Sequence, residues 1–350
     1  MTKISSLDAL LGHPADTIID VRSPSEFAED HIPGAINLPV LDDAERAEVG
    51  TIYKQVSPFR ARKIGAAKVF RNAARHIETH LADKEGGWRP LVYCWRGGQR
   101  SGAFTWMLKE IGWRAEVIEG GYRSFRRMVV DALYERPLPF RVVKLSGYTG
   151  TAKTELLHLL AGEGLQTIDL EGLACHRGSL LGGLARPQPS QKSFETALAI
   201  ALEKRDATQP LLVEAESSKI GALTLPPALW AAMKDAPVIE VSASIEARAA
   251  YLARAYADIL ANGPALLEKL SVLKHVRGAA TLEKWESLIA AGDKIALCRA
   301  LAEDHYDPAY KSAAAKGRAP DARIALQGLD GPALKEGCAR LKERLLALSL

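Results

Sequence analysis

The middle of this chain holds the residues that most restrict its fold. An apolar strand, Arg141-Val142-Val143-Lys144-Leu145, runs into Ser146-Gly147-Tyr148-Thr149-Gly150-Thr151-Ala152-Lys153-Thr154, and a helical pattern follows over 153–160. GxxxxGK[ST] between a strand and a helix is the sequence form of a loop built to hold phosphate. Backbone N–H groups from Gly147, Thr149, Gly150, Thr151 and Ala152 would wrap a diphosphate. Lys153 would reach its terminal oxygens, and Thr154 is placed to hold Mg²⁺. Ala152 stands where a second glycine is usual. Its methyl group restricts the backbone and crowds the phosphate, while Gly150 keeps the loop permissive. Whether ATP, GTP or another diphosphate fills the loop is therefore open at this level. Candidate carboxylate partners end the next buried strands: Asp169 after Thr167-Ile168, Glu214 after Leu211-Leu212-Val213, and Glu216 two residues on.

Short apolar runs alternate with helical patterns elsewhere, which predicts α/β architecture throughout. Ahead of the phosphate loop, strands are predicted over 17–21, 35–38, 91–94 and 117–119, with a helix from near Ser101 to Ile111. Pro137-Leu138-Pro139 interrupts the chain and marks a linker. Residues 1–136 and 137–350 are thus predicted as two domains, as befits 350 residues of which 47 % are apolar. A further strand, Val238-Ile239-Glu240-Val241, precedes a tail that is mostly helical from Ile245 onward.

The first domain carries its own chemistry in Val92-Tyr93-Cys94-Trp95-Arg96-Gly97-Gly98-Gln99-Arg100-Ser101. A strand delivers a cysteine into a Gly-rich loop that ends at a helix start. Backbone N–H groups can converge on the sulfur, and the helix N-terminus adds positive potential. Surroundings of this kind lower a thiol pKa from ~8.5 to roughly 3.5–7.5 and yield a thiolate nucleophile. Cys94, Arg96 and Arg100 are the catalytic candidates, the two arginines holding an oxyanion. Gly97, Gly98, Gln99 and Ser101 complete the cradle. For Cys175, Cys298 and Cys338 a core or incidental role is the better reading.

This segment resembles the active loop of rhodanese-type sulfurtransferases. Asp20-Val21-Arg22-Ser23-Pro24-Ser25-Glu26-Phe27 and His31-Ile32-Pro33-Gly34-Ala35-Ile36-Asn37 resemble the family's opening, and Glu119-Gly120-Gly121-Tyr122 its closing strand and loop. The resemblance covers about residues 4–130 and implies a rhodanese-like fold followed by a P-loop NTPase-like α/β domain with a helical C-terminal part. One departure bears on chemistry. Five residues separate Cys94 from Arg100, where sulfur-transferring rhodaneses generally place four. Five is the spacing of cysteine-dependent phosphatases, whose longer loop cradles a tetrahedral phosphoryl group. The residues alone permit a phosphatase fused to a nucleotide-binding domain, or a transferase whose donor carries a phosphate. An inert phosphate-sensing module is a third reading.

The order of the two constellations decides among these. Segments beginning at Asp169, Gln188 and Val213, with Val49-Gly50-Thr51-Ile52-Tyr53-Lys54 in the first domain, resemble the tRNA 2-selenouridine synthases. That resemblance implies a transferase acting on tRNA with a 2-thiouridine wobble base. Geranyl diphosphate would first alkylate the sulfur, and selenium from selenophosphate would then replace the alkylated sulfur. A selenophosphate synthetase is implied as a supplying partner, and no metal other than Mg²⁺ is called for.

Bulk charge makes no case for nucleic acid, because the formal net charge is only +4 and both domains are nearly neutral. Local patches do. Arg60, Arg62 and Lys63 open a stretch over 59–75 that holds no acid, and Arg123, Arg126 and Arg127 form a second patch beside Tyr122 and Phe125. These six residues, with His176 and Arg177, are the candidate tRNA contacts. Four cysteines without CxxC spacing, and the lack of a signal-like or membrane-spanning run, predict a reducing, cytoplasmic setting with no membrane partner.

Overall fold

The computed structural model of the chain describes residues 1–315 and 318–348. It falls into two compact units, Met1–Arg136 with Pro189–Lys204, and Pro137–Gln188 with Arg205–Leu350.

The first unit is built on a parallel four-stranded sheet of β1 (Thr17–Asp20), β2 (Ile36–Asn37), β3 (Pro90–Tyr93) and β4 (Glu116–Val117), in the order β2-β1-β3-β4. Every residue of β3 is buried, as a central parallel strand requires. Ile19, Val92, Phe104 and Leu108 form its core, and each fully buried aliphatic chain of this size stabilises by roughly 2 kcal/mol. The helix Pro58–His80 starts on Pro58 behind the N-cap Ser57, whose hydroxyl accepts from the Arg60 N–H. Its buried stripe is Ala61, Gly65, Val69 and Ala73, small residues that let it approach the helix Asp43–Gln55 closely. A Cβ at Gly65 would lie 3.2 Å from the Val49 side chain.

Residues 137–350 were expected as one uninterrupted block, and the helix Gln191–Glu203 departs from that. It packs within the first unit, against the helix Gly121–Val130. Its buried face includes Phe194 and Leu198, together with the carboxylate of Glu195. Glu195 accepts from Arg126, Tyr134 and Gln191, and Thr196 donates to Asp30. A buried carboxylate is costly unless it is paired in this way.

The second unit is a parallel five-stranded sheet of β5 (Val142–Gly147), β6 (Thr167–Ile168), β7 (Leu211–Glu214), β10 (Val238–Ser242) and β11 (Ala322–Ala325). Between β7 and β10 in the chain lies a small hairpin, β8 (Lys219–Ile220) and β9 (Leu223–Thr224). The sheet order is β11-β10-β5-β7-β6, with β5 in the centre. Val143, Leu145, Leu156, Leu160 and Ile239 pack its core, and the helix Gly331–Leu348 adds Leu341. Strand β11 was not anticipated. The tail is helical through Ala314, but Ala322–Ala325 then pairs parallel with β10, Ile239 opposite Ala322. A four-residue edge strand containing Arg323 has too short an alternation to be read without its neighbour. A third core, around Trp285, Leu270 and Leu297, holds the helical region together.

Candidate active sites

Cys94 follows the last residue of β3 and is 4 % exposed. Parallel sheets place ligands beyond the carboxyl ends of their strands, and the loop lies there. The helix Gln99–Ile111 begins on the N-cap Gly98 and points its N-terminus into the loop. Burial alone would push the thiol pKa up. The Ser101 hydroxyl at 3.2 Å, the Arg100 charge and the N–H groups of Ser101 and Arg96 outweigh it and lower the thiol below its ordinary value. Arg100 is held by Glu26 at 2.9 Å. Glu26 lies within the opening stretch read from the sequence, but its role as holder of Arg100 was not anticipated.

The loop closes because three glycines permit it. Gly97, Gly120 and Gly121 all have positive φ. A Cβ at Gly97 would sit 2.5 Å from the Ile118 carbonyl oxygen, and one at Gly121 would sit 2.2 Å from that of Cys94. Arg96, Gly98 and Gln99 are exposed at the loop rim. Asp20 and Arg22 form a buried ion pair at 2.6 Å, with the guanidinium stacked 3.9 Å over the Tyr122 ring. Tyr122 in turn donates its N–H to the Cys94 carbonyl at 2.8 Å, which ties the pair to the loop.

The phosphate loop follows β5. It turns through Gly147 and Gly150 at positive φ, and Ala152 adopts φ 57°, a left-handed conformation that non-glycine residues rarely take. Ala152 belongs to the buried cluster that includes Val143 and Leu156, and it also lines the cavity beside the loop. The Lys153 ammonium donates to the Gly147 carbonyl at 3.1 Å. The Thr149 carbonyl accepts from Arg248, which is buried, bidentate to Asp307 and 5.0 Å over the Tyr148 ring. Arg248 lies about a hundred residues from the loop it braces, and nothing in the sequence pointed to it.

Because β7 lies beside β5 and β6 beside β7, the strand ends bring carboxylates to the loop. Thr154 Oγ1 lies 3.3 Å from both Glu214 and Glu171, and its single proton serves one of them at a time. Glu214 also accepts from the Leu170 N–H at 2.7 Å. Burial, then the neighbouring carboxylates, raise the pKa of Glu171 and Glu214 well above the usual carboxylate range. Glu171 was missed in the sequence because it follows β6 by three residues, inside a short helical turn. Asp169 caps that turn and bonds His158, while Glu216 lies at the cavity wall. Among the described residues, no three His, Cys, Asp or Glu side chains gather as a cation site.

Beside the loop opens a cavity of about 540 Å³. The loop residues Thr149 to Thr154 form its polar end, and Leu180, Leu184, Tyr251, Leu252, Ala255 and Tyr256 give it an apolar wall. His176 and Arg177 also line it. Arg177 bonds Asp258 and lies 4.8 Å over the Tyr256 ring, and burial lowers the pKa of His176. Of the other candidate tRNA contacts, Arg60, Arg62, Lys63, Arg123 and Arg127 are exposed. Arg126 is turned onto Glu195. In the acid-free stretch of the first patch, Lys68 pairs with Glu48 and Glu45 and Arg71 with Glu45, both acids from another helix. Among the described residues no helix is long and apolar enough to cross a membrane.

Both parts of the chain match known protein families. The model of the rhodanese-like domain matches residues 4–128, and that of the tRNA 2-selenouridine synthase AAA domain matches residues 140–265. A tRNA 2-selenouridine synthase of Hahella chejuensis (strain KCTC 2396) is 39 % identical over 253 residues, which are 68 % of this chain and 63 % of that protein. The one of Shewanella halifaxensis (strain HAW-EB4) is 37 % identical over 72 % of this chain and 68 % of its own length. These alignments span about two thirds of each relative. A third, of Verminephrobacter eiseniae (strain EF01-2), is 35 % identical over 92 % of this chain and 95 % of its own length. With the two domain models matching in this order and an alignment running nearly end to end, the chain belongs to the tRNA 2-selenouridine synthase family.

Proposed function

We propose that this protein replaces the 2-thio sulfur of a wobble uridine in tRNA by selenium in two stages. In the first, the thiocarbonyl sulfur attacks C1 of geranyl diphosphate. The C1–O bond breaks, diphosphate leaves, and the N3 proton is released. In the second, selenium from selenophosphate attacks C2, the S-geranyl group departs as geranylthiol, and the phosphoryl group passes to water. Alkylation turns a poor leaving group into a good one.

The observation that carries this reading is the cavity beside the phosphate loop. Its polar end offers Lys153 and a row of backbone N–H groups, suited to a diphosphate leaving group. Its wall of leucines and tyrosines suits a terpene chain as well as a base. Mg²⁺ would enter with the diphosphate and share Thr154 and a carboxylate, in keeping with a donor set too small to hold the ion alone. The second stage falls to the loop of Cys94, Arg96 and Arg100, whose length suits a phosphate-bearing selenium donor. A selenophosphate synthetase is the partner that such a donor calls for.

Two variants separate the stages. Cys94→Ser should lose 2-selenouridine by at least about 100-fold, the scale on which an activated nucleophile or oxyanion site contributes, yet still form S-geranyl-2-thiouridine. Lys153→Ala should lose geranylation of 2-thiouridine tRNA and still convert pre-geranylated tRNA. Mass spectrometry of the tRNA nucleosides reads both. Selenation by the serine variant at the normal rate, or a requirement for ATP turnover, would overturn the assignment.

A further inference from the structure

Trp106 is 55 % exposed, although the helix that carries it, Gln99–Ile111, has a well-formed buried face of Ser101, Phe104, Thr105 and Leu108. The opposite face begins at the cysteine loop and runs Gln99, Gly102, Ala103, Trp106. At 100° per residue Gln99 and Trp106 point the same way, about 10 Å apart along the axis. The two residues between them are small, and a Cβ at Gly102 would meet nothing within 4 Å. Both are half-buried, Ala103 partly against the core, so only small side chains lie between the thiol loop and the indole.

The indole is also oriented. Phe70, on the helix Pro58–His80, meets it edge to face at 6.1 Å and 84°. An edge-on neighbour restrains the ring plane without covering both faces. One helical face of Pro58–His80 then carries the exposed Ala67 and Ala66 back to the exposed Lys63, beside Arg62 and Arg60. No acidic residue occurs in that helix before Glu78. Aromatic faces beside a cationic helix face are what a single strand of nucleic acid needs, stacking for its bases and charge for its phosphates, and the one nearby acid on the helix of Trp106 is Glu110, a turn beyond it.

We propose that Trp106 is a stacking platform for an unpaired nucleotide of the substrate, held while its modified base occupies the cysteine loop. A stacked strand advances about 3.4 Å per nucleotide, so the platform serves a base up to about three positions from the thiouridine. Lys63 contacts the backbone beyond it. This rests on the reading that the substrate is tRNA.

The test uses the full chain and a fluorescein-labelled anticodon stem-loop bearing 2-thiouridine, followed by anisotropy. Trp106→Ala should weaken binding about tenfold, the scale of one lost base–aromatic stack, and Trp106→Phe should retain most of it. An abasic nucleotide at one of the three positions on either side of the thiouridine should cost the unchanged protein as much, and cost Trp106→Ala nothing further. Equal binding by Trp106→Ala, with its fold verified by an unshifted thermal midpoint, would overturn the platform and assign the indole to a protein contact. Additive losses at every abasic position would overturn it too. Failure of the unchanged protein to bind the RNA would overturn the tRNA reading itself, whereas geranyl diphosphate binding should be the same in all three proteins.

Discussion

Cys94 and Lys153 sit at opposite ends of comparable loops, Cys94 directly after the strand β3 and Lys153 at the head of the helix that follows β5, and their surroundings treat charge and backbone differently. Around Cys94 the ionic partners are resolved. Glu26 holds Arg100, and Ser101 and the loop N–H groups serve the sulfur. Around Thr154, Glu171 and Glu214 crowd one hydroxyl, and burial first, then neighbouring carboxylates (Glu216 for Glu171, Asp169 for Glu214), raise their pKa. The backbone contrast is as sharp. In the cysteine loop the left-handed positions belong to glycines whose missing Cβ atoms make room for carbonyls. In the phosphate loop Gly147, where a Cβ would lie 2.4 Å from the Val241 carbonyl oxygen, and Gly150 meet the same need, but an alanine takes a third left-handed position. Positive φ is therefore a steric requirement throughout the cysteine loop, whereas the phosphate loop adds to two such glycines one tolerated strain at Ala152.

Three substitutions probe that comparison. The largest effect is expected at Gly121→Ala. The new methyl would stand 2.2 Å from the Cys94 carbonyl oxygen and 2.5 Å from the Gly97 nitrogen, at a φ that alanine dislikes. Overpacking and backbone strain together should cost about 3 kcal/mol, read from the denaturant midpoint of the first unit's transition. A midpoint that does not move would show that the loop can relax and that its glycines are not obligatory.

Ser101→Ala comes next. It removes the hydroxyl that favours the thiolate, so the Cys94 pKa should rise. The rate of Cys94 alkylation by iodoacetamide, followed peptide by peptide, should fall at neutral pH and converge with that of the parent at high pH. Cys298 and Cys338 are pushed up to about 11 by burial and should stay unlabelled at neutral pH. An unchanged pH profile would transfer the activation to Arg100 and the backbone alone.

The smallest effect is expected at Ala152→Gly. Relief of left-handed strain, about 1 kcal/mol, opposes the loss of a buried methyl, about 0.8 kcal/mol, and the added freedom of the unfolded chain. Thermal unfolding should shift by no more than about 1 kcal/mol in either direction. A loss of several kcal/mol would mean that the alanine methyl supports the loop in a way the glycine comparison misses.

What the sequence determined by itself is local. The strand, glycine turn and helix of each site follow one another directly in the chain, from Pro90 to Ile111 and from Val142 to Gly162. The backbone preferences of those residues, and the directed N–H groups they produce, are settled before any distant contact forms. For that reason Cys94, Arg100, Ser101, Lys153 and Thr154 were legible, as were most of the strands and the α/β class. Tertiary structure decided whatever depends on which strand lies beside which. Glu171 and Glu214 meet at Thr154 because β7 sits between β5 and β6, an order the linear spacing does not encode. Arg126 was indistinguishable in sequence from its exposed neighbours Arg123 and Arg127, until Glu195 arrived from 69 residues away to bury with it. The helix carrying Glu195 belongs with the first unit for the same reason. Its apolar face and its carboxylate need partners, and the complementary surface is supplied by residues that precede it by some seventy positions.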